Sequence, residues 1–530
     1  MCFKYASLLR DQSQKNNITL YTGNCLIRQA GSIPHFEKVT RHGFNTGFFV
    51  THRVFCYNRS LSRQQPHDVT YLPSDFESTL MQIDVATSHD RSQLNQNNPL
   101  SSDPNVTSRR KFFGTTAATV GLGTIATQEF LSRSAYAAGS DLIKVGLVGC
   151  GGRGNGAAGD AMQADPGCRL TAIGEIFENR LDMGKKFLKR NLKDQYEVAE
   201  ENCFTGWDSC QRVLDTDIDV VLLCTPPGFR PAQMAAAVQA GKHIFCEKPV
   251  AVDPVGVRSV IESSRLAEKK GLSLVSGLCW RYDLGVRATM DRIFDGAIGQ
   301  IQNTQCNYLA GTLWIRNPEP DWTPMHNQVL NWMYYRWLSG DHYVEQFIHS
   351  LDKALWLRND VPPVRCYGLG GRQVRTSPEY GDVYDHFYVV YEWADGTKTY
   401  AATRQMEGCF NETEDYIFGL EGSAKLISNE IKGARPWKYA YEGEGEKPNM
   451  YDLEHVALFK SIRDGKPINN GDYMCKSTLM AIMGREACYT GKTITWEQAM
   501  QSEQTLVPTE LAWGPAPEVD VRVPGKYKFT

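Results

Sequence analysis

Hydrophobic and polar positions follow two regimes along this chain, with the change at Asp141. Beyond it, short apolar runs at 142–148, 169–174, 218–224 and 243–246 are separated by stretches of helical spacing, such as 230–240 and 254–270. Strands that alternate with helices predict βαβ units and a parallel sheet. The run at 272–277 reads as its last strand. Farther on, longer β-rich runs at 300–310, 364–371, 385–393 and 398–404 are interspersed with helices at about 344–356, 452–463 and 476–489. That order predicts a second, largely antiparallel open sheet with helices on one face, so the fold class expected is α/β followed by an α+β domain.

Before Asp141 no such periodicity is present. Residues 1–107 carry no convincing helix or strand pattern, and 64–104 is rich in Asn, Gln, Ser and Asp. This composition predicts disorder, or residues that precede the true start of the protein, with Met81 as the alternative start. Ser108-Arg109-Arg110-Lys111-Phe112-Phe113 then matches the twin-arginine export pattern. A Gly/Ala/Thr-rich run at 114–127 and a small-x-small site, Ala135-Tyr136-Ala137, follow it. The expected signal therefore spans 108–137 and directs the chain out of the cytoplasm, to the periplasm or its equivalent. The remaining divisions are 141–277 for the first domain, 278–498 for the second, and a tail at 499–530 packed on the body.

Composition narrows the function classes. A net charge of −3 gives no broad basic surface, which argues against nucleic acid as the main partner. The 15 cysteines are scattered singly, with no zinc spacing, so neither a disulfide framework nor a metal site is expected. No stretch reaches the roughly 18 to 20 consecutive apolar residues a membrane helix needs, so no membrane anchor is expected.

Directly after the first predicted strand stands Gly149-Cys150-Gly151-Gly152-Arg153-Gly154, a full GxGxxG. Its first Gly permits the tight turn and its second a close approach to a pyrophosphate. The third permits helix–strand packing, and the helix N-terminus presents free N–H groups. Glu175 ends the second strand about 20 residues on, placed to accept from adenosine ribose hydroxyls and to repel a 2′-phosphate. These features predict a Rossmann domain that holds NAD, with NADP left open by Arg153 and Arg180.

Further along, Cys224-Thr225-Pro226-Pro227 ends a strand, and Gly241-Lys242-His243-Ile244-Phe245-Cys246-Glu247-Lys248-Pro249 follows one helix later. With the Gly-rich turn, these segments resemble the Gfo/Idh/MocA oxidoreductase family over nearly the whole chain from Leu142 to Trp513. The resemblance implies that Thr225, Pro226 and Glu247 flank the cofactor. It also implies that Lys248 stands between nicotinamide and the reacting hydroxyl, where an ammonium would favour alkoxide character. A second family mark is a helix with an acid and then a His four residues later. Here Asp341, Glu345, His349 and Asp352 fall at i, i+4, i+8 and i+11, one polar stripe on an otherwise apolar helix. The resemblance makes His349 the general base. Glu345 occupies the place where many members have Asp, which puts that substrate contact in doubt. Asp341, His342, Arg281 and Tyr282 are candidate substrate contacts, and Asp341 reads equally as a helix N-cap.

An aromatic arc, with Trp314, Trp322, Trp332, Trp337, Tyr334 and Tyr335 beside Arg316, His326 and Arg336, suits the apolar faces and polar rims of sugar rings, and equally a core or subunit contact. The expected activity is hydride transfer between a sugar or polyol carbinol carbon and a tightly held nicotinamide. The alternatives are a glycosidase or lyase that works through transient oxidation, and a non-catalytic dinucleotide-dependent sensor. The family resemblance further implies a homodimer or homotetramer.

Overall fold

The computed structural model describes residues 142–530, together with a two-residue backbone pairing of Tyr21–Thr22 with Cys25–Leu26. The chain separates into two units, Met1–Thr119 and Val120–Thr530. The N-terminal extension and export signal expected at 1–137 lie outside the described residues, apart from that pairing.

The first sheet contains six strands: β1 Ile143–Val148, β2 Cys168–Glu175, β3 Cys203–Thr205, β4 Val220–Leu223, β5 His243–Cys246 and β6 Leu274–Ser276. All pair in parallel, in the order β3-β2-β1-β4-β5-β6. This is a doubly wound sheet whose strand order reverses between β1 and β4, where a crevice opens at the strands' carboxyl ends. The runs in β4, and in β5 after His243, are continuously apolar because helices cover both faces. Helices α1 Gly152–Ala164, α2 Glu178–Leu192, α3 Ser209–Leu214, α4 Arg230–Gln239 and α5 Pro254–Lys269 supply that cover. Asp253 caps α5 by accepting from the Gly256 N–H at 2.7 Å, and Pro254 fills the first turn, where its missing N–H costs nothing.

After α6 Leu284–Phe294, β7 Ile301–Ala310 opens a nine-stranded sheet. Helices α7 Pro324–Leu330, α8 Arg336–Ser339, α9 His342–Glu345 and α10 Ile348–Trp356 come next. The strands β8 Arg365–Gly371, β9 His386–Glu392, β10 Lys398–Gln405, β11 Glu412–Gly419, β12 Gly422–Lys425, β13 Glu430–Gly433 and β14 Trp437–Lys438 follow. Beyond α11 Met450–Arg463 and α12 Gly471–Thr490, β15 Ile494–Thr495 and α13 Trp496–Gln501 complete the elements. The sheet order is β14-β13-β12-β11-β7-β10-β9-β8-β15, antiparallel except for β7 with β10. α12 is buried along nearly its whole length, and its residues Met480, Met483 and Ala487 share one core with Cys366, Val389 and Ala401 of the sheet.

Two features differ from expectation. Helix α11 falls within the second domain by sequence, but Leu458 and Phe459 pack with Val145, Leu147 and Ala157 in the core of the parallel sheet. The helix expected at 344–356 is broken into α9 and α10 around Gln346 and Phe347. The cause lies in the site described next.

Candidate active site

A cleft of about 620 Å³ opens at the carboxyl end of the parallel sheet. Gly149, Gly151, Gly152, Arg153 and Gly154 line it at one end. Gly149 has φ +96°, and a Cβ there would stand 2.9 Å from the Cys224 carbonyl; a Cβ on Gly154 would stand 1.8 Å from the Gly149 oxygen. These two glycines are therefore demanded by the turn itself. Gly151 and Gly152 are not: a Cβ on Gly152 meets nothing within 4 Å, so the space beside them is left for a ligand. No side chain caps α1 at Gly151, so its first N–H groups face that space. On the adenosine side Trp207 presents a buried Nε1–H with no partner among the described residues. Open glycines, an uncapped helix end and an orphaned donor in one cleft fit a dinucleotide.

Glu175 lines the cleft, but its carboxylate is largely engaged. Oε2 accepts from the Cys150 N–H at 2.9 Å, and Oε1 accepts from Ile176 and Phe177 N–H at 2.8 and 3.3 Å. It thus ties the end of β2 to the Gly-rich turn, and Oε2 keeps one lone pair for a ribose hydroxyl. Burial pushes its pKa up, against the lowering by those N–H donors.

Arg153 also lines the cleft, yet its guanidinium belongs to the scaffold. It pairs with Glu247, with Asp160 at 2.9 Å and with Glu454 at 3.1 Å, and lies 4.7 Å from the Tyr451 ring centroid. Burial would raise the Glu247 pKa, but the positive charges of Arg153, Lys248 and Arg230 outweigh it and hold that carboxyl below its ordinary value. Glu454, completely buried, is pushed well above its ordinary value by burial and by the charge of Glu247. Thr225 and Pro226 line the wall opposite. Arg230, which the sequence does not single out, donates to the Thr225 and Pro249 carbonyls at 2.5 Å and so locks the two motif loops together.

Lys248, Glu345 and His349 come together at the same cleft. The Lys248 ammonium donates to the Glu345 carboxylate at 2.8 Å and to the Glu345 backbone carbonyl at 2.7 Å. In an unbroken helix that carbonyl would accept from the His349 N–H. Here the His349 N–H has only a weak contact with the Gln346 carbonyl at 3.5 Å, so lysine docking coincides with the helix break. Burial lowers the His349 pKa well below the ordinary imidazole value, and the charges of Lys248, Lys353 and Arg153 add to this. The imidazole is therefore neutral, with Nδ1 buried and unpartnered.

The four residues read as substrate contacts lie elsewhere. Arg281 is buried in ion pairs with Asp352 at 2.8 Å and Asp360 at 2.6 Å, because the loop after β6 turns toward α10 and away from the cleft. The Tyr282 hydroxyl donates to Asn470 at 3.0 Å. Asp341, at φ +75°, is fully buried; it accepts from the His342 and Tyr384 N–H groups and the Tyr489 hydroxyl. His342 rests against Asp341 at 3.0 Å inside the core. Asp352 serves Arg281, so only Glu345 and His349 of the polar stripe reach the cleft. Of the aromatic arc, Trp314, Arg316 and Trp332 line it. Trp322 and His326 instead join Phe177 and Trp513 in ring stacks, with centroids 4.9 Å apart for Phe177–Trp322 and 3.8 Å for His326–Trp513.

Val507 and Leu511 of the C-terminal tail complete the cleft wall. The tail is fastened along its course. Arg258 donates to the Met500 and Ser502 carbonyls at 2.7 Å, Asp253 accepts from the Leu506 N–H at 2.7 Å, and Gln328 donates to the Pro517 carbonyl at 2.9 Å. Among the described residues no cluster of His, Cys, Asp and Glu is arranged to hold a metal ion, and no helix is long and apolar enough to cross a membrane.

The parallel sheet, the Gly-rich turn at its switch point and the cleft beyond define a dinucleotide-binding domain. Residues 143–278 match the Gfo/Idh/MocA model, described as an oxidoreductase family with an NAD-binding Rossmann fold. The match extends over that domain alone. It is 24% identical to myo-inositol 2-dehydrogenase of Thermotoga maritima over 340 residues, 61% of this chain and 90% of that protein. It is 25% identical to 2,7-anhydro-N-acetylneuraminate hydratase of Escherichia coli over 219 residues, 41% of this chain but only about half (54%) of that protein. Among solved structures, aldose-aldose oxidoreductase from Caulobacter crescentus aligns with a TM-score of 0.53 at 18% identity, covering 67% of this chain and 99% of that one. Levoglucosan dehydrogenase in complex with NADH gives 0.53 at 20%, over 67% and 99%. These structural likenesses concern the fold.

Proposed function

We propose that this chain is a nicotinamide-dependent oxidoreductase that transfers hydride between a carbinol carbon of a sugar or polyol and NAD. The observation that carries this reading is the meeting of Lys248, Glu345 and His349 in the cleft that begins at the Gly-rich turn. The bound nicotinamide supplies the hydride acceptor. Lys248, oriented by Glu345, donates a hydrogen bond to the substrate hydroxyl oxygen and stabilises its developing negative charge. The hydroxyl proton passes to the neutral imidazole of His349. Relatives named as inositol and levoglucosan dehydrogenases agree with this chemistry. The test is absorbance in the reduced-nicotinamide band when the NAD-loaded chain meets monosaccharides, inositols and glycosides. Stable reduction is expected.

The hydratase relative supports a second reading, in which transient oxidation acidifies a neighbouring C–H and permits elimination. Product formation from a glycoside or anhydrosugar without stable reduction would establish that reading in place of the first.

Because protonation silences the base, a lowered His349 pKa keeps the enzyme active into mild acid. The acid limb of the kcat/KM profile is expected below pH 6.5, and His349→Gln is expected to lower kcat roughly 10²-fold at neutral pH. An acid limb at or above pH 6.5 would contradict the assignment.

The cofactor is held tightly, and the chain is exported with it and works outside the cytoplasm. Trp513 of the tail packs on Phe177, Trp207 and His326, with centroids 5.5, 4.7 and 3.8 Å away, at the adenosine side of the cleft. Ring pairs of this kind contribute about 0.5–1.5 kcal/mol each beyond area burial. Trp513→Ala is therefore expected to speed NAD release roughly tenfold or more, measured by exchange against a fluorescent analogue. The apolar side chains of Tyr367, Leu369, Tyr388 and Phe418, exposed on the open face of the second sheet, suit contact with a second copy of the chain.

A further inference from the structure

Five cationic side chains line the cleft. Arg153 and Lys248 are paired with carboxylates, and Arg230 with two backbone carbonyls. Arg180 stands beside the Gly-rich turn, its Nη1 3.9 Å from where a Cβ on Gly151 would lie, which suits a diphosphate. Arg316 is the fifth. Its guanidinium has no carboxylate or carbonyl partner among the described residues, and it rests 4.3 Å from the centroid of Trp314.

The segment that carries these two residues is irregular yet firmly held. Buried Asn331 accepts from the Arg316 N–H and donates to the Arg316 carbonyl, both at 2.8 Å. Buried Tyr334 donates its hydroxyl hydrogen to the Leu313 carbonyl at 2.9 Å. Glu407 accepts from the Thr312 N–H and hydroxyl at 2.7 Å. A segment pinned by buried Asn331 and Tyr334 and, at the surface, by Glu407 leaves an indole 40% exposed and so presents two side chains at the cleft. Pre-organisation of that kind serves recognition, because the ordering cost is met before a ligand arrives.

We infer that Trp314 and Arg316 form a subsite for an acidic sugar ring, so the substrate carries a carboxylate. The inference rests on the sugar oxidoreductase reading above. An indole offers an apolar face to sugar C–H groups, and a guanidinium fork matches a carboxylate in plane and spacing. The charges elsewhere at the reacting end argue the same way. Lys248 and Glu345 compensate one another and His349 is neutral, which leaves Arg316 as a charge in the cleft that no neighbouring carboxylate balances.

The test is calorimetric titration of the full NAD-loaded chain with glucuronate, glucose and glucose 6-phosphate at low ionic strength. Glucuronate is expected to bind at least tenfold more tightly than glucose, with the preference weakening as salt is added. Arg316→Gln is expected to reduce the glucuronate-to-glucose affinity ratio at least tenfold, and Arg316→Lys to recover only part of it. Thermal unfolding of each variant reports whether the fold is kept. Equal binding of glucuronate and glucose, tighter binding of glucose 6-phosphate, or a ratio unmoved in folded Arg316→Gln would each overturn the subsite. Nicotinamide reduction by any of these sugars, read in parallel, tests the parent reading separately.

Discussion

Lys248→Ala is expected to lower kcat by about 10²–10⁴-fold while NAD stays bound, the range spanned by loss of a positioned proton-handling group or an oxyanion donor. The ammonium is the group that ties the EKP loop to the carboxylate and carbonyl of Glu345, so no neighbour replaces it at the reacting hydroxyl. On the proposed reading cofactor content should survive, because the Gly-rich turn, Glu175 and the tail would hold the dinucleotide's other end. Lys248→Arg should not rescue turnover: a planar guanidinium cannot reproduce the compact donor aimed at two Glu345 oxygens. The measurements are single-turnover reduction and the cofactor-to-protein absorbance ratio. An active Lys248→Ala enzyme would remove this residue from the chemistry.

Arg153→Met is expected to destabilise the fold by about 3 kcal/mol or more at neutral pH, since removing one partner of a buried charge network leaves the others uncompensated. Glu247 and Glu454 have side-chain exposures of only 6% and 0%. In the parent, Glu247 has a depressed pKa, so its contribution is present above the ordinary carboxyl value near 4.5 and fades as pH falls through the folded value. Without Arg153 that carboxyl keeps only the charges of Lys248 and Arg230 against its burial, so the stabilisation it contributes above about pH 4.5 shrinks in the variant. The gap between the two proteins should therefore narrow on acidification. Urea unfolding at pH 4 and pH 7 checks this, and a gap independent of pH would show that Arg153 acts through packing on Tyr451 instead.

The parallel strands were readable because two covered faces demand unbroken apolar runs, as in Val220–Leu223 and 244–246. The edge strand Cys203–Thr205 was not, being three residues long and half-buried. Nor was Glu412–Gly419, whose acidic residues find partners outside the strand. Glu414 accepts from Ile427 and Ser428, and Asp415 pairs with Lys353 at 3.0 Å. The Gly-rich turn and the EKP loop are local in sequence, so their residues could be placed together in advance. The helix break at Glu345 could not, because a lysine 97 residues upstream takes the carbonyl that would have continued the helix. Arg281 and Tyr282 were drawn toward the cleft by their position after a strand, but Asp352, Asp360 and Asn470 hold them elsewhere. Local spacing says nothing of such competition.

The fastening of Leu506 to Asp253, and the place of Leu511 in the cleft wall, bear on how this protein is made. During synthesis the six-stranded sheet gains the last of its core only when Leu458 and Phe459 emerge, and residues 500–517 follow them. A chain that has reached α11 thus has the sheet but an open cleft, and the segment that carries Val507 and Leu511 encloses it. A product truncated before Val507 would fold its first sheet yet leave the cleft open to solvent.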